Sequence, residues 1–109
     1  MYRIVTFGKC FADPTAIRII RVLIQTPTTI SELQEVLLLD RHTIDLRLTK
    51  LREAGLIKTK QQGRWLNYSI ATDALPIVQK VLHSFYDDVK WDPKCLADEE
   101  RLKQLRNVN

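Results

Sequence analysis

Positively charged residues are concentrated in one segment of the chain, positions 40–64. The segment contains seven bases: Arg41, Arg47, Lys50, Arg52, Lys58, Lys60 and Arg64. It contains three acids, Asp40, Asp45 and Glu53, so its excess of four positive charges equals the formal net charge of the whole chain, +4. Guanidinium and ammonium groups gathered in this way bind phosphate oxygens. The segment is therefore predicted to form a nucleic-acid-binding surface.

The chain has two cysteines, Cys10 and Cys95, and they do not have the CxxC spacing of a metal or redox motif. In a reducing compartment both are expected to be thiols. Two interpretations stay open. If the fold brings the cysteines together, they can act as a dithiol–disulfide switch or bind arsenite, although a three-thiolate site would need one more. Otherwise they are buried thiols with no role in sensing, as free cysteines commonly are.

Other chemistry has little support in the sequence. His83 has Asp87 one turn later, but no second histidine or cysteine is near it, so an exposed helical histidine is the simpler interpretation. The chain contains no Gly-rich phosphate loop, no nucleophile elbow and no cluster of acid–base residues. We therefore predict no metal site, no cofactor and no enzymatic activity.

The composition is that of one globular domain spanning residues 1–109, with 45% hydrophobic and 28% charged residues. No apolar run approaches the roughly 18 residues needed to span a bilayer. The first residues, MYRIVTFGKC, lack a basic segment followed by a long apolar stretch, so they do not resemble a secretory signal. We expect a cytoplasmic protein with no membrane partner.

The elements before the basic segment are predicted to be helices. A short apolar segment, 2–12, precedes Asp13-Pro14, a strong helix start because Asp caps free amides and Pro tolerates the first helical position. The helix that follows is expected to run to about Gln25, with Arg18 and Arg21 on the face opposite its apolar residues. Thr29 and Glu32 then form a capping box that opens a short helix, about 31–38.

The basic segment itself is predicted to form a helix followed by a hairpin. Asp40 would cap a helix over 41–54, and Gly55 would end it in a left-handed conformation. Alternating strands at 56–60 and 64–70 are joined by Gln61-Gln62-Gly63, with Leu66, Tyr68 and Ile70 expected to point inward. A helix fits the DNA major groove, and a cationic hairpin beside it can reach the minor groove.

The remaining residues are predicted to be helical. Thr72-Asp73 would cap a helix whose apolar stripe runs from Leu75 to Val89 through Val78, Leu82 and Phe85. The stripe is long for a small core and favours a partner helix, although burial within the chain is the alternative. Asp92-Pro93 would open a last helix that ends near Arg106.

Three stretches together resemble the ArsR/SmtB family of winged helix-turn-helix repressors: FADPTAIRIIRVL, ISELQEVL and LTKLREAGLIKTKQQGRWLNYSI. The resemblance covers roughly Phe11 to Ile70. It implies a mainly α fold with a small β-hairpin wing, and a homodimer built on the N-terminal and C-terminal helices, the latter at about 73–106. It also implies operator DNA as the partner, released when an effector binds.

Carried onto this chain, the resemblance makes 31–54 the helix-turn-helix and 56–70 the wing. His42 and Thr43 would read base edges, and Arg41 or Arg47 would bind guanine with two hydrogen bonds. Asp45 stands where the family has a small polar residue and could accept from a cytosine amino group. The expected phosphate or minor-groove contacts are Lys50, Lys58, Lys60 and Arg64.

The chain departs from the family at the turn and at the metal sites. The turn often holds Gly in the family but reads Leu38-Leu39-Asp40 here, so either Leu38 is strained there or the turn has a different shape. Thr29 and Ser31 stand where members that sense soft metals have cysteines, and Asp73 alone remains of the zinc-type set. The signal must therefore come from elsewhere in the chain. The alternative function is a winged-helix module that binds protein or RNA without sensing an effector.

Overall fold

The computed structural model describes residues 1–107. Their elements follow in chain order: α1 Tyr2–Phe11, α2 Pro14–Gln25, α3 Ile30–Leu37, α4 Arg41–Glu53, β1 Ile57–Gln62, β2 Trp65–Ile70, α5 Leu75–Ser84, α6 Tyr86–Lys90 and α7 Pro93–Asn107. This is a mainly α fold with one β-hairpin, as the sequence predicts. No helix within these residues has the length and apolar character required to cross a membrane.

Local capping begins α2 and α3 where the sequence places it. An oxygen of the Asp13 side chain accepts from the Thr15 backbone N–H at 3.1 Å. At α3, the Glu32 N–H donates to the Thr29 hydroxyl at 3.2 Å, and the Thr29 N–H donates to the Glu32 carboxylate at 3.0 Å. Such caps contribute about 1 kcal/mol each and fix where each helix starts.

The core lies between α2, α3, α4 and the inner face of the hairpin. Its largest fully buried side chains are Ile19, Ile20, Leu33, Val36, Leu37, Ile44, Leu48, Leu51, Leu56 and Val78. Burial of each such side chain contributes roughly 1.5–3 kcal/mol. This core fixes α4 against α2 and α3, and so sets which face of α4 is exposed.

The turn between α3 and α4 contains a left-handed leucine. Leu38 has φ 54° and ψ 46°, and its side chain is 68% exposed. Of the two alternatives that the sequence leaves open, the strained position is therefore the one present. Two arginines bind the carbonyls that end α3: Arg18 Nη2 donates to Leu37 O at 2.8 Å, and Arg101 Nε donates to Val36 O.

Arg18 corrects a sequence prediction, because it is buried and does not lie on an exposed face of α2. Its Nε and Nη2 atoms each donate to Asp98 of α7 at 2.8 Å. Arg101 Nη2 donates to the same carboxylate at 3.0 Å. The hydrogen bonds with Asp98 raise the pKa of the Arg18 guanidinium. The sequence pattern missed this ion pair because its two partners are 80 residues apart.

The wing is a two-stranded antiparallel sheet with a tighter turn than predicted. Gln62 pairs with Trp65, so only Gly63 and Arg64 form the turn, whereas the sequence suggested a loop at 61–63. Gly63 has φ 60°, the positive value that a two-residue hairpin turn requires at its first position. Tyr68 is buried as expected, but the prediction for Leu66 is wrong, because it lies near the tip and is 37% exposed.

The C-terminal region differs from the predicted single stripe. Helix α5 starts after Ala74, which makes no side-chain cap, so Asp73 is not the cap residue. The helix breaks at Phe85, with φ −111° and ψ 27°, and the short α6 follows. Helix α7 then packs on α2 and α3 of the same chain, which buries Cys95 and Leu102.

Candidate nucleic-acid interface

Helix α4 packs its apolar stripe against the core and exposes the opposite face. Ile44, Leu48 and Leu51 are buried, at 1% exposure or less. With 3.6 residues per turn, this stripe places His42 and Leu46 on the far side. Leu46 is 44% exposed. A polar helix face that stands clear of the core is the part that can enter a DNA groove.

Most of the residues that the sequence nominates for DNA contact are exposed. The exposed ones are Arg41, His42, Asp45, Lys50, Lys58, Lys60 and Arg64. The other two, Thr43 and Arg47, are half-buried on one flank of α4. The Leu56 N–H donates to Leu51 O at 3.0 Å, so the wing follows directly from the end of α4. The helix and the hairpin therefore adjoin.

The wing presents a mixed cationic and aromatic outer face. Lys58 and Lys60 alternate outward along β1, and Arg64 is in the turn. Lys58 Nζ donates to the Thr72 hydroxyl at 2.9 Å, which orients it along the hairpin. Trp65 is 57% exposed on the same face. Trp65 is not among the contacts predicted from the sequence, and an exposed indole beside cations suits contact with a sugar or base.

Ion pairing divides the arginines of the chain into two groups. Every arginine outside positions 40–64 has a carboxylate partner: Arg3 has Asp73, Arg18 and Arg101 have Asp98, Arg21 has Glu99, and Arg106 has Glu32. Within positions 40–64, Arg47 pairs with Asp13. The remaining bases of this segment have no carboxylate within 4.0 Å anywhere in residues 1–107. They are therefore free to bind an external anion.

The Arg47 side chain lies in a different setting from its neighbours. Its Nε donates to Asp13 Oδ2 at 3.0 Å, and both side chains are 33% exposed. The pair borders a cavity of about 440 Å³ between α1, α2 and α4, where Lys50 also lies. One of the predicted base contacts thus has a partner inside its own chain.

The start of α4 carries an acid beside the positions predicted to read bases. Asp40 is the N-cap residue, although its side chain makes no cap hydrogen bond to the helix backbone. The Thr43 hydroxyl holds the pKa of the Asp40 carboxyl below its usual range. Asp40 and Asp45 therefore both place negative charge near the expected groove surface.

The two cysteines are both buried and both free. Cys10 borders the cavity between α1, α2 and α4, whereas Cys95 borders a second one, of about 490 Å³, between α2, α6 and α7. Burial raises the pKa of each thiol, and nearby Asp13 raises that of Cys10 further. The structure does not place the cysteines on a shared cavity, and each is expected to be a thiol at neutral pH.

The candidate metal positions remain dispersed. Thr29 and Glu32 are occupied with capping α3, and the Asp73 carboxylate faces Arg3. His83 is exposed on α5. Within residues 1–107 there is no group of three or more histidine, cysteine, aspartate or glutamate residues arranged to hold a metal ion.

A short helix, a turn, a second helix with an outward polar face and a basic hairpin define a winged helix-turn-helix DNA-binding protein. Residues 11–60 match the model of a helix-turn-helix domain family. The chain is 28% identical over 75 residues to MJ1325, an HTH-type transcriptional regulator of Methanocaldococcus jannaschii, covering 68% of this chain and 84% of MJ1325.

Solved structures agree with this class. Rv0081 of M. tuberculosis is 30% identical and superposes with a TM-score of 0.60, covering 75% of this chain and 87% of Rv0081. Mb0332 of Mycobacterium bovis, a homodimeric winged helix-turn-helix DNA-binding domain of a possible ArsR-family regulator, is 18% identical. Its TM-score is 0.72, over 84% of this chain and 85% of Mb0332. The chain shares the winged helix-turn-helix fold of these proteins, resembles ArsR-family regulators, and is a DNA-binding transcriptional regulator.

Proposed function

We propose that this regulator is a homodimeric repressor that binds double-stranded operator DNA through α4 and the wing. The observation that supports this is the distribution of the unpaired arginines. Of the nine arginines, the three without a carboxylate partner within residues 1–107, Arg41, Arg52 and Arg64, all lie on the adjoining helix and hairpin. When unpaired cations on one surface bind DNA phosphates, they release the counterions condensed on the DNA. This release makes the DNA affinity depend on salt.

Each contact has a role that follows from its position. At the start of α4, Arg41 is placed for a bidentate contact to guanine, worth about 1–3 kcal/mol of discrimination. His42 and Thr43 would read neighbouring base edges, and Asp45 would accept from a cytosine amino group. The residues proposed to bind phosphates or the minor groove are Lys50, Lys58, Lys60 and Arg64.

The proposed dimer forms through α1, α5 and α6. Arg3 Nη2 donates to Asp73 O at 3.0 Å, so the beginning of α1 lies beside the beginning of α5. These helices expose large apolar side chains at 37–74%: Tyr2, Ile4, Val5, Ile77, Phe85 and Tyr86. Exposed apolar side chains on neighbouring helices favour burial against a second copy. Helix α7 instead uses its buried face within its own chain.

We also propose that an effector or a thiol change releases the DNA. Cys10 and Cys95 border separate cavities and have raised thiol pKa values, both of which disfavour rapid oxidation to a direct bridge. The two cavities, of about 440 and 490 Å³, are in the size range of small-molecule sites. A small ligand that binds in one of these cavities is the form of the signal that we propose.

Binding to a labelled duplex and to RNA of matched sequence, measured by fluorescence anisotropy over a range of salt, tests the proposal. A repressor of this design binds the duplex more tightly, with log affinity falling linearly in log salt. Equal affinity for the RNA would favour the RNA-binding alternative, and no binding of either would favour a protein-interaction module. Analytical ultracentrifugation of the free protein should give a dimer, and a monomer at all concentrations would contradict the proposed interface.

A further inference from the structure

The N-cap of α2 has a second function in this structure. Asp13 Oδ1 accepts from the Thr15 N–H at 3.1 Å, which completes the helix cap. Asp13 Oδ2 accepts from Arg47 Nε of the recognition helix at 3.0 Å. Serine or asparagine would cap the helix as well as aspartate does. The cap alone therefore does not account for a carboxylate at this position, whereas pairing with Arg47 does.

The Asp13–Arg47 pair changes the charge that the DNA-binding surface presents. Positions 40–64 have four more positive than negative charges. Asp13 lies outside this segment and neutralises one of them, which leaves an excess of three. Arg47 lies on the same flank of α4 as Lys50, three residues later, and both border the cavity beside α1. A phosphate approaching this flank would meet Lys50 directly but would have to compete with Asp13 for Arg47.

The pair is accessible enough for that competition to occur. Both side chains are 33% exposed, and the adjoining cavity lets water reach them. A partly exposed ion pair of this kind is weak and sensitive to salt. Arg47 can therefore exchange Asp13 for a phosphate. Arg18 cannot do so, because its guanidinium is buried against Asp98.

We propose that Asp13 is an affinity-determining residue that restrains DNA binding by holding Arg47 away from phosphates. The inference rests on the proposed function, since it requires that α4 and the wing bind duplex DNA. In the free protein Arg47 is held by Asp13, and the wild-type protein gains little counterion release from it. Removing the carboxylate charge frees Arg47 to become one additional phosphate contact in each protomer.

The test compares the salt dependence of duplex binding for the wild-type protein and Asp13→Asn. Asparagine keeps an oxygen that can cap α2 and removes the charge. A duplex of mixed sequence is the probe, because phosphate contacts do not require the operator. One new contact steepens the slope of log affinity against log salt by about 0.9 per protomer. Between about 50 and 200 mM salt, the affinity advantage of the variant over wild type should shrink about 3-fold per protomer.

Two controls separate this inference from simpler effects. Glu99→Gln removes a partly exposed acid of α7 that pairs with Arg21, away from the DNA-binding surface and from the proposed dimer helices, and it should leave the slope unchanged. In an Arg47→Gln background, Asp13→Asn should no longer steepen the slope. If Asp13→Asn unfolds the protein, Asp13→Ser provides a second neutral cap for the same comparison.

The outcomes are distinguishable. A steeper slope that requires Arg47 supports the inference. An unchanged slope in folded Asp13→Asn overturns it, as does equal steepening in the Arg47→Gln background, which would mean that Asp13 acts only through its general field. Wild-type protein that binds no duplex at any salt would overturn the proposed function and the inference with it.

Discussion

Replacing Asp98 with alanine is expected to remove a large part of the stability of this protein. The Asp98 carboxylate accepts three hydrogen bonds, two from Arg18 at 2.8 Å and one from Arg101 at 3.0 Å. The Arg18 and Asp98 side chains are only 10% and 4% exposed. Without Asp98, the Arg18 guanidinium keeps only its bond to the Leu37 carbonyl and becomes a buried charge without a counterion.

The expected magnitude follows from that arrangement. Removing one partner of a buried ion pair costs about 3–5 kcal/mol, because the other charge stays desolvated. Since the whole free energy of unfolding of a domain is about 5–15 kcal/mol, this loss is at least about a fifth of it. With a urea m-value of about 2 kcal/mol/M, the midpoint of unfolding should fall by roughly 2 M.

Urea unfolding followed by circular dichroism measures the loss of free energy of unfolding in Asp98→Ala. All variants are compared at one protein concentration, so that the concentration dependence of dimerisation does not enter the comparison. Glu100→Ala is the matched control, because Glu100 is exposed on the same helix, α7, and has no ion-pair partner within residues 1–107. Replacing both members, as Arg18→Met with Asp98→Leu, should recover most of the loss. A loss below about 1 kcal/mol in Asp98→Ala would refute the reasoning, since Arg18 would then be reaching water.

Three further predictions concern DNA binding, the turn and the thiols. Arg64→Ala should weaken binding to all duplexes and lower the salt slope by about 1, whereas His42→Ala should change sequence preference; equal behaviour of both variants and wild type would contradict the docking model. Leu38→Gly should raise the free energy of unfolding by about 0.5–1 kcal/mol, since glycine relieves the positive φ at a mostly exposed site, and a loss in urea unfolding would argue otherwise. Folding raises the thiol pKa values of Cys10 and Cys95. The contribution of these thiols to the free energy of unfolding is therefore complete below the ordinary thiol pKa of 9.0 and is lost as pH rises through the folded values. Between about pH 8 and 10 the wild type should therefore lose more stability than Cys10→Ala/Cys95→Ala, and parallel losses would contradict this.

Local signals predicted the elements that position the DNA-binding surface. The cap at Asp13 and the capping box at Thr29 and Glu32 act within three residues, so the sequence displays them directly. Gly55 and Gly63 adopt the positive φ values that their places in the pattern demanded. The exposure of most of the nominated contacts follows from the same spacing, because burial of one helix stripe leaves the opposite face outward.

The missed features all depend on contacts between distant residues. The sequence predicts Arg18 to be a surface residue because its counterion, Asp98, is on the last described helix. It predicts Arg47 to be an unpaired cation because Asp13 precedes it by 34 positions. The break at Phe85 is not marked by glycine or proline, so the apolar spacing continued through it. Periodicity identifies which face of a helix is apolar, but not what each polar side chain will meet.

The contacts of α7 with α3 have a consequence for the order in which the chain can fold during synthesis. Arg106 pairs with Glu32 at the beginning of α3, and Arg101 and Arg18, joined by Asp98, bind the carbonyls at its end. Both ends of the first helix of the DNA-binding motif are thus completed with the help of α7, which is synthesised after that motif. A nascent chain that already contains α4 and the wing but not α7 still lacks Asp98, Arg101 and Arg106. The DNA-binding surface is therefore expected to mature only once α7 has been synthesised, so a chain interrupted before α7 would be a poor competitor for DNA.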